Sequence, residues 1–430
     1  MNSVFVLSNT KKPLMPCRPA RARKLLGAGR ADVYRLHPFA IILKDRDDGE
    51  TQDVEVKIDP GSKTTGIALV GHFEQQGAVV LFGANLNHRG QTIKNNLESR
   101  RSLRRGRRGR KTRYREARFL NRTRRSGWLP PSIDSRVVNT ESIIRKLAAR
   151  CPITEAAVEL VKFDLQQMQN PEISGAEYQQ GELAGYEVRE YLLEKWHRTC
   201  AYCGKKDVPL QVEHIHPRAN GGSNRVSNLT LACQPCNQRK GSRPIDEFLK
   251  DKPEILRKIK AQAKAPLKDA AAVNAARWAL VNRLKVGVPV STGSGGRTKF
   301  NRTRQGYTKD HWIDAACVGE SGERVTIPEF MKPMVITAKG RGTHQVVRTD
   351  KFGFPRGKAG RIKRVHGFST GDIVKLVQPA GKYAGTYIAR LAGIRVTGML
   401  DIKTTVSSIT ASFKNFTLIQ RNDGFDYAAI

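Results

Sequence analysis

The chain has 430 residues and carries 76 Lys plus Arg against 39 Asp plus Glu, a net charge of +37 at neutral pH. At 39% hydrophobic and 27% charged residues it is too apolar for a wholly disordered chain. A mean hydropathy of −0.49, and no run near the ~18 consecutive apolar residues of a spanning helix, argue against a membrane protein. The short apolar start runs into Lys11 and Lys12 and so does not read as a signal peptide, which makes a soluble cytoplasmic protein the expectation. Charge of this sign repels itself unless a polyanion is bound, so nucleic acid is the first partner to expect.

The length allows about two to four domains. Apolar, strand-like runs come first, over 54–59, 66–70 and 77–86, with hairpin-like turns between them. From Arg100 to Arg125, 14 of 26 residues are Arg or Lys and only Glu116 is acidic, while Leu103, Tyr114, Phe119 and Leu120 offer intermittent apolar contacts. Arg favours helix but like charges this dense repel, so the segment reads as a helix ordered by nucleic acid and broken near Gly106 and Gly109. Ser142 to Ala149 reads as a helix, Ala156 to Phe163 as a buried strand, and the alanine-rich stretch Asp269 to Lys285 as an amphipathic helix. Strands first, then strand and helix in alternation, is an α/β arrangement. Between Gln166 and about Pro253 the chemistry changes, as if a separate unit were inserted. Beyond Ile327, Gly-rich alternating segments such as 372–377 and 387–391 suggest a small antiparallel β domain.

Four of the seven cysteines fall in two close pairs, Cys200/Cys203 and Cys233/Cys236. Two C-x-x-C knuckles suit tetrahedral Zn²⁺, and a complete shell of four thiolates leaves no open position, so that zinc is structural. Cys17, Cys151 and Cys317 stand alone and read as packing residues. Between the knuckles lie V-E-H-I-H-P at 212–217 and S-N-L at 227–229, and Asn237 follows Cys236. Carboxylate and amide oxygens suit a hard divalent cation, and a neutral imidazole beside it can take a proton from water attacking a phosphodiester. Residues 198–244 resemble the HNH nucleases and their ββα-metal motif. That resemblance implies His214 as general base, Glu213 and Asn237 as ligands of one Mg²⁺, and Asn228 as the residue orienting the base. Glu213 stands where the family more often has Asp.

A second set of acidic residues is dispersed. Asp59 ends an apolar strand before the turn P-G-S-K, Glu159 is the lone charge among Ala156, Ala157, Val158, Leu160 and Val161, and K-D-H-W-I-D at 309–314 puts His311 and Asp314 on one face if helical. Burying Glu159 without a partner would be costly, so it needs a cation or a place at the strand's exposed face. Three such carboxylates can bind two Mg²⁺ that activate water and stabilise the leaving oxygen of a phosphodiester. In this order they resemble the split motifs of a RuvC nuclease with an RNase H-like fold. The resemblance implies Asp59, Glu159 and Asp314 as metal ligands and His311 as base.

K-P-L-M-P at 12–16, followed by R-A-R-K-L-L-G-A-G-R-A at 21–31, adds a third match. Taken with the other motifs in order, the chain resembles the IscB family, transposon-encoded, RNA-guided RuvC/HNH endonucleases related to type II CRISPR effector nucleases. The resemblance implies an α/β multi-domain chain: a PLMP N-terminal domain at 1–52 and an RNase H-like core in parts at 53–95, 127–176 and 254–328. An Arg-rich bridge helix would occupy 96–126, a linker and HNH domain with its zinc ribbon-like four-cysteine site 177–253, and a β-rich domain contacting RNA and the target-adjacent motif 329–430. It further implies a monomeric protein in a ribonucleoprotein with a guide (omega) RNA, acting on double-stranded DNA with a target-adjacent motif. HNH would cut the guide-paired strand and RuvC the displaced one. Arg100, Arg101, Arg104, Arg105, Arg107, Arg108, Arg110, Lys111, Arg113, Arg115, Arg118 and Arg122 would line the guide and its heteroduplex, read by backbone shape rather than sequence. Lys339, Arg341, Arg348, Arg361, Lys363 and Arg364 are candidates for contacts from the C-terminal domain. Two other readings stay open: an RNA-independent HNH homing-type or structure-specific nuclease, and a non-catalytic RNA-binding component of a ribonucleoprotein.

Overall fold

The computed structural model describes residues 2–110, 127–160, 189, 192–193, 195–223, 225–263, 268–340, 347, 349–352, 354–358, 364–404 and 407–429, without the side chains of 268–274 and 429. The expected contacts Lys111, Arg113, Arg115, Arg118, Arg122, Arg341, Arg348, Arg361 and Lys363, and the strand continuation over 161–163, lie outside the described residues. No described helix is long and apolar enough to cross a membrane.

The N-terminal segment folds β1 (Val4–Leu7), β2 (Pro13–Cys17), α1 (Pro19–Gly27), β3 (Ala31–Arg35) and β4 (Ala40–Leu43) into a sheet of order β2-β1-β4-β3, with the P-L-M-P residues on β2. Next come β5 (Val54–Asp59), β6 (Thr64–Phe73) and β7 (Gly77–Asn87), then α2 (Gly90–Gly109), α3 (Pro131–Ala148) and β8 (Ile153–Glu159). The central sheet runs β11-β8-β5-β6-β7-β13-β19, where β11 is Val290–Gly293, β13 Met334–Ala338 and β19 Phe425–Ala429, and the short β12 (Val325–Thr326) also pairs with β7. β5, β6 and β7 are antiparallel neighbours, whereas β8 and β11 run parallel to β5.

The alternation of β5 decides the architecture. Val54, Val56 and Ile58 pack with Val137, Ile143 and Leu147 of α3 and with Leu280, Val281 and Leu284 of the helix Lys268–Leu284. Its odd residues, Glu55, Lys57 and Asp59, point to the opposite face, where Trp312, Ile313 and Ala316 of the helix His311–Ala316 cover Ala68 and Val70 of β6. The result is a three-layer α/β/α unit. Cys151 and Cys317 are buried in its two apolar clusters, as packing residues are, and Cys17 is half-buried.

Gly66 on β6 lies directly across from Asp59. A Cβ there would come 1.8 Å from the carbonyl oxygen of His311, so the absence of a side chain is what lets this helix lie beside Asp59. Gly66→Ala is expected to push the helix off the sheet at a cost of about 1–3 kcal/mol or more. Thermal unfolding checks this; an unchanged melting temperature would refute it.

Several expectations need correction. The basic helix starts at Gly90, ten residues before the arginine run, and passes through Gly106 unbroken before ending at Gly109. Its upstream half packs on α3, where a Cβ on Gly90 would come 2.8 Å from Ser132 O. The helix expected at 142–149 begins at Pro131, because Pro fits the first helical turn. The C-terminal part is not one separate β domain. β14 (Ile373–Gln378), β15 (Gly385–Ile394), β16 (Met399–Lys403), β17 (Ser408–Ser412) and β18 (Phe416–Gln420) form their own antiparallel sheet around Val374, Leu376, Leu400 and Ile402. The flanking β13 and β19, however, extend the central sheet from β7.

Candidate active sites

The inserted unit is built on β9 (Leu210–His214), antiparallel to β10 (Leu229–Cys233), followed by the helix Gln234–Lys240. His214 therefore ends one strand opposite Leu229, and Glu213 sits opposite Thr230. Asn228 does not stand apart from the chain it supports: its Oδ1 accepts from His216 N–H at 2.8 Å, and its Nδ2 donates to His216 O at 3.0 Å and to Ser223 O at 2.8 Å. It fastens the loop that leaves His214 through bonds to backbone atoms of that loop. Asn237 donates to Gln211 Oε1 at 2.7 Å, which ties the helix to β9.

Sequence reasoning missed Lys240. Its buried ammonium lies 2.7 Å from Glu213 Oε1 and 2.9 Å from His214 O, so it fixes both residues from beneath. A buried ammonium without such partners would be strongly unfavourable. The carboxylate, amide and imidazole on one small frame are of the types that suit a divalent cation, and Glu213 Oε1 is engaged by Lys240. The spacing Asn237-x-x-Lys240 puts the lysine on the same helical face as the asparagine and was the available signal.

Beside this frame, the Sγ atoms of Cys200, Cys203, Cys233 and Cys236 all lie within 4.8 Å of one another. Cys203 Sγ and Cys233 Sγ are 3.7 Å apart. Four sulfurs on a tetrahedral metal at ~2.3 Å stand about 3.8 Å apart, so the cluster fits zinc as it is. Gly204, at φ +72°, turns the first knuckle, and Cys200 N–H donates to Lys205 O at 3.0 Å.

The second set of carboxylates also converges. Asp59, Glu159, His311 and Asp314 line one cavity of about 280 Å³. Asp59 and Glu159 end the adjacent parallel strands β5 and β8, and Asp314 comes from the helix laid across Gly66. Asp310 caps that helix, accepting from His311 N–H at 2.7 Å, and Asn85 holds its start by bonds to Asp310 Oδ1 (2.8 Å) and Trp312 N–H (3.0 Å).

Each carboxylate has a cationic neighbour. His311 Nδ1 is 3.4 Å from Asp59 Oδ2, and that contact raises the imidazole pKa above its ordinary value. Arg302 Nε is 2.8 Å from Asp314 Oδ1. Arg277, buried, reaches Glu159 Oε1 at 3.5 Å and also donates to Pro60 O at 3.1 Å, joining the turn after Asp59 to β8. Even so, burial, with Asp59 as a further cause, pushes Glu159 up to about 8, and burial raises Asp314 too. Burial disfavours the charged forms of Glu159 and Asp314, and a further cation, such as a divalent metal would supply, would favour them. Arg277 and Arg302 were not singled out in the sequence. A charge inside the alanine-rich run A-A-R-W-A-L was the clue to the first.

Residues of the inserted unit also reach this cavity: His197, Arg198 and Asp207 are among its walls. Arg198 and Asp207 act on Lys309, whose pKa burial lowers.

Residues 200–243 match the family model of the HNH endonucleases, and residues 4–181 match that described as RRXRR protein. The chain is thus an α/β multi-domain protein carrying an HNH endonuclease domain. No curated protein matches it. Among solved structures, Streptococcus thermophilus Cas9 in complex with the GGAA PAM is similar at 13% identity, over 61% of this chain and 32% of that one, with a TM-score of 0.21. The Type II-C Cas9 of Actinomyces naeslundii is similar at 19% identity over 44% and 27%, with a TM-score of 0.16. The match spans under a third of the length of the Actinomyces structure and about a third of the Streptococcus one.

Proposed function

We propose that this chain is an RNA-guided DNA endonuclease of the IscB kind, with two cutting sites. The observation that carries the reading is the convergence of Asp59, Glu159 and Asp314, widely spaced in sequence, on one cavity of a protein that also has an HNH domain. Three antiparallel strands flanked by two parallel ones, with carboxylates at the ends of the first and fourth, support an RNase H-like, RuvC-type core. Asp59, Glu159 and Asp314 hold two Mg²⁺, Glu213 and Asn237 hold one, and the four cysteines hold structural Zn²⁺. When bound, Mg²⁺ activates water and stabilises the leaving oxygen. His214 takes the proton from the attacking water at the HNH site, where Lys240 sets the orientation of its strand end. His311 does the same beside Asp59. HNH cuts the strand paired with the guide, and the RuvC-type site the displaced strand.

The +37 charge and the exposed arginines of α2 support a bound guide (omega) RNA encoded beside the protein, as expected of a transposon-associated monomeric protein in a ribonucleoprotein. The test is expression with the flanking locus, sequencing of RNA that copurifies, and cleavage of matched DNA with Mg²⁺. No sequence-directed cutting is expected until the guide is supplied. Full activity without RNA would favour an RNA-independent nuclease, and no cutting with cognate guide would favour a non-catalytic RNA-binding component.

A further inference from the structure

We propose that Phe352 and Phe354 form a stacking platform for unpaired bases of single-stranded RNA at the end of the arginine-rich helix; this rests on the RNA-binding reading above. The two rings sit on a fastened turn. Asp350 accepts from the N–H of Phe352 at 2.9 Å and of Phe354 at 2.8 Å, Asp350 N–H donates to Phe354 O at 2.9 Å, and Thr349 pairs with Pro355. Such a turn costs little further ordering when a ligand arrives. Yet it leaves Phe352 and Phe354 49% and 45% exposed, which large aromatic side chains usually avoid.

One cation organises both rings. The guanidinium of Arg110, the residue just past α2, lies 4.9 Å from the centre of the Phe352 ring and 5.2 Å from that of Phe354, and its Nη2 donates to Phe352 O at 3.1 Å. Lys351 Nζ lies 5.0 Å from the Phe352 ring. Arg110, one of the residues expected to line the guide, ties the basic helix to this loop and stands beside the aromatic surface.

The surroundings select the occupant. Arg104, Arg105 and Arg108 are exposed on the adjoining helix, and Arg356 and Lys358 are exposed just past the loop. Exposed π-faces flanked by cations suit a polyanion that offers flat apolar groups, which is single-stranded nucleic acid rather than an apolar peptide. In a duplex the bases already stack on one another, whereas RNA loops and ends present them unstacked.

The test is binding of the full-length protein to a short oligoadenylate carrying one 2-aminopurine, to the same sequence as DNA, and to a blunt RNA duplex of equal length, each across a salt series. Phe352→Ala with Phe354→Ala should lower affinity for the RNA single strand roughly five- to hundredfold and abolish the 2-aminopurine quench. The slope of log K against log salt should stay the same, because phosphate contacts are kept. Duplex binding should also be unchanged, and the double Tyr variant should retain wild-type affinity. Wild-type affinity in the double Ala variant, or an equal loss on duplex, would overturn the platform while leaving RNA binding intact. Equal binding and quench with the DNA strand would overturn RNA as its occupant. A wild-type protein that binds neither RNA would remove the RNA-binding reading itself.

Discussion

His214→Ala is expected to leave a protein that nicks only the displaced strand, and Asp59→Ala one that nicks only the guide-paired strand. Each site has its own set of side chains. His214, Glu213, Asn237 and the buried Lys240 share one ββα frame held by its own hydrogen bonds and its own apolar core around Trp196, Tyr202 and Leu231. Asp59, Glu159, Asp314 and His311 share a cavity on the three-layer unit, whose core is separate. Removing a general base costs about 10²- to 10⁴-fold. If Asp59 holds metal as proposed, losing it would remove a ligand as well as the contact that raises the His311 pKa, so the second effect should be the larger. Supercoiled plasmid with a matched target distinguishes the outcomes: open circles from either single variant, intact plasmid from the double variant. Loss of both cuts from either single change would sink the two-site assignment.

Local chemistry was legible where one segment carries it. Val54–Asp59 is the strand expected, because apolar alternation ends at an Asp-Pro-Gly turn. Glu159 is a charge in an apolar strand, for which a cation or the exposed face were the two outcomes, and the structure buries it. What answers it was not legible: Arg277 comes from a helix far along the chain, and no pattern around either residue states that they meet. Gly66 was invisible for the same reason, since its importance lies in a contact with His311 across the sheet. β13 and β19 each look like ordinary strands of a β-rich tail, and alternation says which face is apolar but not which sheet a strand joins. The helix break expected at Gly106 failed because one glycine costs only about 1 kcal/mol within a long helix otherwise rich in good helix formers.

Cys200→Ser is expected to abolish cutting of the guide-paired strand and to remove zinc, while the displaced strand is still nicked. The cysteines do not merely close a knuckle. Cys233 is the last residue of β10 and precedes the helix Gln234–Lys240, and Cys236 lies in its first turn, next to Asn237. A metal shared with Cys200 and Cys203 therefore anchors the helix that carries both Asn237 and Lys240, the partner of Glu213. Seven residues are far too few for a helix to persist alone in water. The apolar core of so small a unit rarely supplies more than about 3–5 kcal/mol, against about 10–16 kcal/mol for structural zinc, so a zinc held by these cysteines would decide whether the frame stays folded. Metal analysis should find about one zinc per wild-type chain and almost none in the variant, and limited proteolysis should open the segment 195–263 first. The cavity around Asp59 is lined in part by His197 and Arg198, so release of this unit should widen access to that site rather than dismantle its carboxylates. A folded variant without zinc that cuts both strands at wild-type rates would refute the structural role.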